Sequence, residues 1–199
     1  MAEQRHSMDD MVESLRTLLP ARSRRIIERD ERAAVLVPIV DDSGPLRLLM
    51  TRRTNELPTH QGQVAFPGGS MLIGEKDPAI TALREAGEEI ALPPDSADIL
   101  GLLDDFVTRT GKVAVTPVVG RISKLPRLEP APFEVARIFT IPVQDLIQSG
   151  RWTATEQEGL GDQRRLWFFE HDGETLWGLS ARIVLHLLEL AGFGPPTER

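Results

Sequence analysis

The chain has no cysteine, no tyrosine and only three tryptophans. The first absence excludes disulfides, thiolate catalysis and zinc held by cysteine. No uninterrupted apolar run reaches the ~18 residues that a membrane helix needs, and Met1 to His6 carries no signal-peptide core. A cytoplasmic protein with no membrane partner is therefore expected. An excess of basic charge is also missing: 23 Lys and Arg stand against 30 Asp and Glu, a net charge of −7. That argues against nucleic acid as a partner, because phosphate backbones are gripped by basic faces. What remains, 199 residues with 41% apolar and 27% charged composition, suits one folded domain with a sizeable core. Trp167, Phe168 and Phe169 read as core residues or as the face of a homodimer, and stacking on an adenine is the alternative.

The most informative stretch is Pro67-Gly68-Gly69, then Glu75, then Arg84-Glu85-Ala86-Gly87-Glu88-Glu89. Asp77-Pro78 is a helix-start signal, and Pro93-Pro94 ends the helix begun there, which spans 78–90. At about 100° per residue, with Glu85 taken as zero, Glu89 lies near +40° and Glu88 near −60°. Ala79, Ile80, Leu83, Gly87 and Ile90 fall on roughly the opposite side and form the expected apolar back. Three carboxylates about 6 Å apart repel by about 3 kcal/mol per pair at an effective dielectric near 20. A hard divalent cation offsets such repulsion, and carboxylate oxygens favour Mg²⁺ or Mn²⁺. A solvated acidic helix face is the plainer reading. Against it stand the adjoining Arg84 and the preceding glycine turn.

The remaining elements follow from pattern. A leading helix is expected over 8–19, capped by Ser7, with Met11, Leu15, Leu18 and Leu19 at helical spacing. Strands are expected over 32–40 and 46–51 as a hairpin, then at 63–66, 99–107, 112–119 and 134–141. A short helix follows over 143–148, a hairpin over 166–170 and 175–177, and a last helix from Ser180 to Leu190. Residues 121–133, rich in proline and charge, read as a surface loop. Strands and helices do not alternate, so the fold class is α+β: a mixed sheet sandwiched between helices. Residues 1–30 form an N-terminal helical segment packed on a domain spanning 31–192. Arg22, Arg24, Arg25 and Arg29 make that segment locally basic, either as a solvated helix end or as a contact for a phosphate or a second subunit.

The motif resembles the Nudix box: Gly, five residues, Glu, seven residues, then Arg-Glu-apolar-x-Glu-Glu-x-Gly-apolar. Here Gly69 to Glu75 match, eight residues (Lys76 to Leu83) follow instead of seven, and Ala91 replaces the glycine. Arg-Glu-x-x-Glu-Glu is intact. Upstream, Leu49-Met50-Thr51-Arg52-Arg53 and the run His60 to Gly69 resemble the coenzyme A pyrophosphatase branch. So do Val113 to Gly120 and Trp177-Gly178-Leu179-Ser180-Ala181. The resemblance implies a Nudix-like α/β/α sandwich and hydrolysis of a nucleoside diphosphate derivative, giving 3′,5′-ADP and 4′-phosphopantetheine from coenzyme A. It implies metal ligation by Glu85, Glu88 and Glu89 and by the carbonyl of Gly69. Arg84 would orient the glutamates, with an i,i+4 pair to Glu88 as the simpler account. Glu134 is assigned as general base, the competing reading being a surface carboxylate. Glu75 either holds Arg84 or joins the site. Two departures bear on substrate: Thr54 replaces Ser or Ala, and Pro58 stands where the branch carries arginine. Arg53 and His60 are the residues assigned to replace that phosphate contact, against the alternative of surface side chains. Another nucleoside diphosphate derivative, such as ADP-ribose, a dinucleotide or an oxidised nucleotide, is the competing substrate. A non-catalytic nucleotide-binding module is the third reading.

Overall fold

A computed structural model describes residues 10–56, 60–156 and 165–194. The elements are α1 (Met11–Ala21), β1 (Glu31–Val40), β2 (Arg47–Arg53), β3 (Val64–Ala65), β4 (Gly68–Ser70) and α2 (Pro78–Ile90). Then come β5 (Asp98–Leu102), β6 (Phe106–Val107), β7 (Val113–Ile122), β8 (Val135–Pro142), α3 (Val143–Leu146), β9 (Trp152–Glu156), β10 (Arg165–His171), β11 (Glu174–Trp177) and α4 (Gly178–Leu190). No helix among the described residues is long and apolar enough to cross a membrane.

The main sheet is mixed. β1 runs parallel to β7 from Glu31 opposite Val113 to Val40 opposite Ile122, and its other pairings are antiparallel, with β2 and β4. Both faces are covered, so alternate residues of one strand feed two cores. Ala34, Leu36 and Val40 of β1 pack with Ala82, Ala86 and Ile90 of α2. Val37 and Ile39 pack on the opposite face, whose core includes Met11 and Leu15 of α1 and Val184 and Leu187 of α4. The α+β sandwich expected from the sequence is thus present.

Several expectations need correction. The last helix begins at Gly178, two residues before Ser180, and the Ser180 hydroxyl instead donates to the carbonyl of Val64 at 3.1 Å. The glycine turn is a short strand: Gly68 to Ser70 pair with Val35 to Ala33. Glycine carries little strand propensity, but here it allows close approach, since a Cβ on Gly68 would lie 2.4 Å from the carbonyl oxygen of Ala34. β9 was not anticipated. It joins the expected hairpin to make a three-stranded sheet, with Trp152 opposite Phe169. Leu18 is exposed while Val12 takes its place inside. Ser7, the expected cap of α1, lies outside the described residues. Phe169 is fully buried against Trp152, with ring centroids 5.0 Å apart, so it is a core residue.

The strand expected over 99–107 is broken at 103–105 because two aspartates there take up the basic N-terminal stretch. The buried Asp105 accepts from Arg24 and the Thr116 hydroxyl, both at 2.7 Å, and from the Ile27 amide at 2.9 Å. Asp104 accepts from Arg22 at 2.7 Å. Arg29 reaches the carbonyl of Gly111 at 2.9 Å. Arg22 and Arg24 are thus fastened to the domain by part-buried ion pairs, whereas Arg29 stays exposed while it bonds to Gly111.

Candidate active site

The helix α2 starts where Asp77 accepts from the Ala79 amide at 2.9 Å, with Pro78 in the first turn. Its inward face is rotated from the one expected. Ala82, Ala86, Glu89 and Ile90 are buried, whereas Ile80 is 58% exposed. The three small or β-branched residues at Thr81, Ala82 and Ala86 let the helix lie close on β1 and β4. Glu89 is therefore inside the packed stripe, and Glu88 stands outside it with 61% of its side chain exposed.

Arg84 gathers the acids. Its Nε donates to Glu75 at 3.0 Å, its Nη1 to Glu85 at 2.9 Å and to Glu88 at 3.2 Å, and its Nη2 to the Ser70 carbonyl at 3.1 Å. Glu75 is held in turn by the Thr81 hydroxyl at 2.6 Å and the Leu72 amide at 2.8 Å. Hydrogen bonds from Arg84, Thr81 and Leu72 bring the Glu75 carboxyl down to about 2. Those same acids hold the Arg84 guanidinium above its usual range. The extra spacer residue thus leaves Glu75 in register to fix Arg84.

Glu85 lies against β4. A Cβ on Gly69 would meet its carboxyl carbon at 2.5 Å, so only glycine lets strand and carboxylate share that space. Burial raises the Glu85 carboxyl, Arg84 opposes that, and the charges of Glu88 and Glu134 raise it further. Glu89 accepts from the Gly68 amide at 3.2 Å and faces the Arg53 guanidinium at 3.6 Å. Burial pushes it up to about 7 despite those two partners. Glu134 is exposed at the start of β8, and its charge bears on both Glu85 and Glu89.

Among the described residues, no three acidic or imidazole side chains converge as they stand into a metal cage. The reason is visible: Arg84 holds Glu85 and Glu88, and Glu89 is turned to Gly68 and Arg53. The donor set nevertheless fits a hard cation. It offers only oxygen, one carboxylate is buried without full compensation, and the β4 backbone approaches closely at Gly69. His60 sits exposed in the β2–β3 connection, bonded to Gln63 at 3.0 Å rather than to any of these acids. Pro58 lies outside the described residues. Sequence reasoning missed Thr81, whose signal is its place one turn before Arg84 and Glu85 on the same helix side. It also missed the Arg53–Glu89 pair, which no local spacing encodes.

The NUDIX domain profile matches residues 30–160. The chain belongs to the Nudix family. Its Nudix relatives include proteins called uncharacterized Nudix hydrolase NudL. That of Photorhabdus laumondii is 36% identical over 183 residues, 92% of this chain and 97% of the relative. That of Klebsiella pneumoniae is 35% identical over 195 residues, 98% and 100% of the two chains. Among solved structures, a MutT/nudix family protein from Enterococcus faecalis aligns with TM-score 0.54 and 14% identity, covering 94% of this chain and 70% of its own. The Nudix hydrolase RenU from M. smegmatis aligns with TM-score 0.50 and 18% identity over 60% and 75% of the two chains. These two show the shared fold. The chain is a Nudix hydrolase of the pyrophosphohydrolase type.

The one Nudix-box substitution has a conformational cost. Ala91, where the pattern has glycine, caps α2 in the left-handed region at φ 53°, its amide donating back to Ala86 and Gly87. An alanine there is strained by about 1 kcal/mol relative to glycine. Ala91→Gly is expected to raise the melting temperature by about 2 °C. A lower melting temperature would show that the loss of unfolded-state restriction outweighs the relieved strain.

Proposed function

We propose that this Nudix hydrolase cleaves the diphosphate of coenzyme A or an acyl derivative, with Mg²⁺ or Mn²⁺ as cofactor. One observation carries the reading. The stretches that resemble the coenzyme A branch come together at the acidic helix: Arg53 and Gly68 both engage Glu89, and Gly69 abuts Glu85. Ser180, from the downstream stretch, ties to Val64 of the upstream one.

Glu85, Glu88, Glu89 and the Gly69 carbonyl would hold the ion. When bound, a divalent cation acidifies water and neutralises the charge that builds on the diphosphate. Arg84 orients Glu85 and Glu88 and keeps their charges balanced. Glu134 takes the proton from the attacking water as a P–O bond forms and the phosphoanhydride breaks. Arg53 faces Glu89 at 3.6 Å and offsets its charge in part, and this bears on substrate choice. Its guanidinium is drawn toward Glu89 of the helix, so it replaces the arginine missing at Pro58 only in part. That divided role favours the second reading, another nucleoside diphosphate derivative such as ADP-ribose or a dinucleotide.

A panel of coenzyme A, ADP-ribose and a diadenosine polyphosphate, assayed with each metal and resolved by chromatography, decides between them. The expected products from coenzyme A are 3′,5′-ADP and 4′-phosphopantetheine. Turnover of ADP-ribose with coenzyme A left intact would end the coenzyme A reading.

A further inference from the structure

The loop between β7 and β8 is pinned at several points. The Glu129 amide donates to the carbonyl of Ile90 at 3.1 Å and that of Ala131 to Glu89 at 2.8 Å, fastening the loop to the last turn of α2. The Thr54 amide and hydroxyl donate to the carbonyls of Glu134 and Phe133, both at 2.9 Å, fastening its far end to β2. One continuous segment therefore runs past Glu89 to Glu134. Its earlier part does something else. Leu125, Leu128 and Pro130 form one wall of a groove of about 470 Å³, and Leu49, Ile138 and Thr140 of β2 and β8 form the other.

That volume falls within the ~300–1,000 Å³ of small-molecule sites. The register fixes its distance from the acids. Val135 stands opposite Arg53, the partner of Glu89, while Ile138 stands opposite Thr51 and Thr140 opposite Leu49. At ~3.3 Å per residue, the groove extends roughly 10–17 Å along β8 from the acidic site. Its lining carries no charged side chain, so it suits neither a phosphate-bearing nucleoside nor a second metal. Among the described residues, β8 pairs with β2 alone. The amides and carbonyls along its other edge are thus outside the ladder and able to bond a ligand's amides.

We infer that this groove receives the uncharged, amide-bearing arm of the substrate, so that β8 and the loop at 125–130 set specificity on one side of the cleaved diphosphate. The inference rests on the coenzyme A reading, which names pantetheine as that arm.

The test uses the full chain and two product probes, 4′-phosphopantetheine and 3′,5′-ADP, titrated calorimetrically beside coenzyme A turnover. Thr140→Trp fills the groove with a residue that strands tolerate, and Leu128→Gln makes its wall polar. Both are expected to weaken 4′-phosphopantetheine binding about tenfold or more while 3′,5′-ADP binding stays within about twofold, effects on the scale of ~1.4 kcal/mol against a few tenths. Unchanged 4′-phosphopantetheine binding in both variants, or an equal loss for both probes at an unaltered melting temperature, overturns the groove. Should the wild type bind 4′-phosphopantetheine in a Thr140-sensitive way yet leave coenzyme A uncleaved, the groove stands and the catalytic reading fails. Cleavage of coenzyme A with no discrimination by either variant removes the groove and leaves the catalytic reading in place.

Discussion

Glu88→Gln is expected to lower kcat by about two to three orders of magnitude while leaving the melting temperature nearly unchanged. The separation of the two effects follows from placement. Glu88 is 61% exposed and pairs with Arg84 at the surface, so folding gains little from its charge. Glutamine keeps the size and an oxygen that still accepts from Arg84 Nη1. What it removes is one negative charge from the donor set proposed to hold the divalent cation. The proper measurement pairs initial rates across a metal titration with thermal melts. A rate within about threefold of wild type at all metal concentrations would remove Glu88 from the ligand set.

The second large effect concerns Arg84. Replacing it by glutamine strips one guanidinium from Glu75, Glu85 and Glu88 and from the Ser70 carbonyl. Glu75 and Glu85 are only 14% and 16% exposed, so their charges stay partly buried with no cation to answer them. A loss of about 2 kcal/mol is expected after discounting the solvent-screened Glu88 contact, or about 4–8 °C in melting temperature. Activity should fall as well, because Glu85 and Glu88 lose their orientation. A purely structural role would stop there. A positioning role adds a signature: saturating Mn²⁺ should recover more of the melting temperature in Arg84→Gln than in wild type, since the ion supplies the missing positive charge. Arg84→Lys should recover stability in part but not the rate, because an ammonium cannot reach three carboxylates and a carbonyl in one fork. An unshifted melting temperature in Arg84→Gln would show that the acids repel one another less than their spacing implies.

Legibility in the sequence followed the range of the interactions involved. The bounds of α2 were readable because Asp77, Pro78 and Pro93 act within a turn of themselves. The acids were readable because their spacing is fixed on one helix. The helix's rotation was not: counting residues around the wheel set Ile80 and Leu83 inward, but the strands beneath select small side chains, so Ala82 and Ala86 are buried and Ile80 is left at the surface. That shift carried Glu89 into the interior. β4 was hidden because Gly68 and Gly69 signal a turn by composition, while their pairing with β1 depends on chain from another region. The use of Arg22 and Arg24 was hidden for a similar reason, their aspartate partners lying some eighty residues away.

The parallel ladder between β1 and β7 carries a consequence for how the molecule comes into being. Its paired residues are separated by about eighty positions, so the loop closed before any of those bonds can form is long, and such closures make folding slow. The strand that seats Gly68 and Gly69 leans on β1, and β1 in turn is a sheet edge until β7 arrives. During synthesis the acidic helix therefore exists before its platform is complete. A nascent chain halted ahead of residue 113 would carry every glutamate of the Nudix box, with β1 and β4 already made, and still lack the strand that closes the open edge of β1.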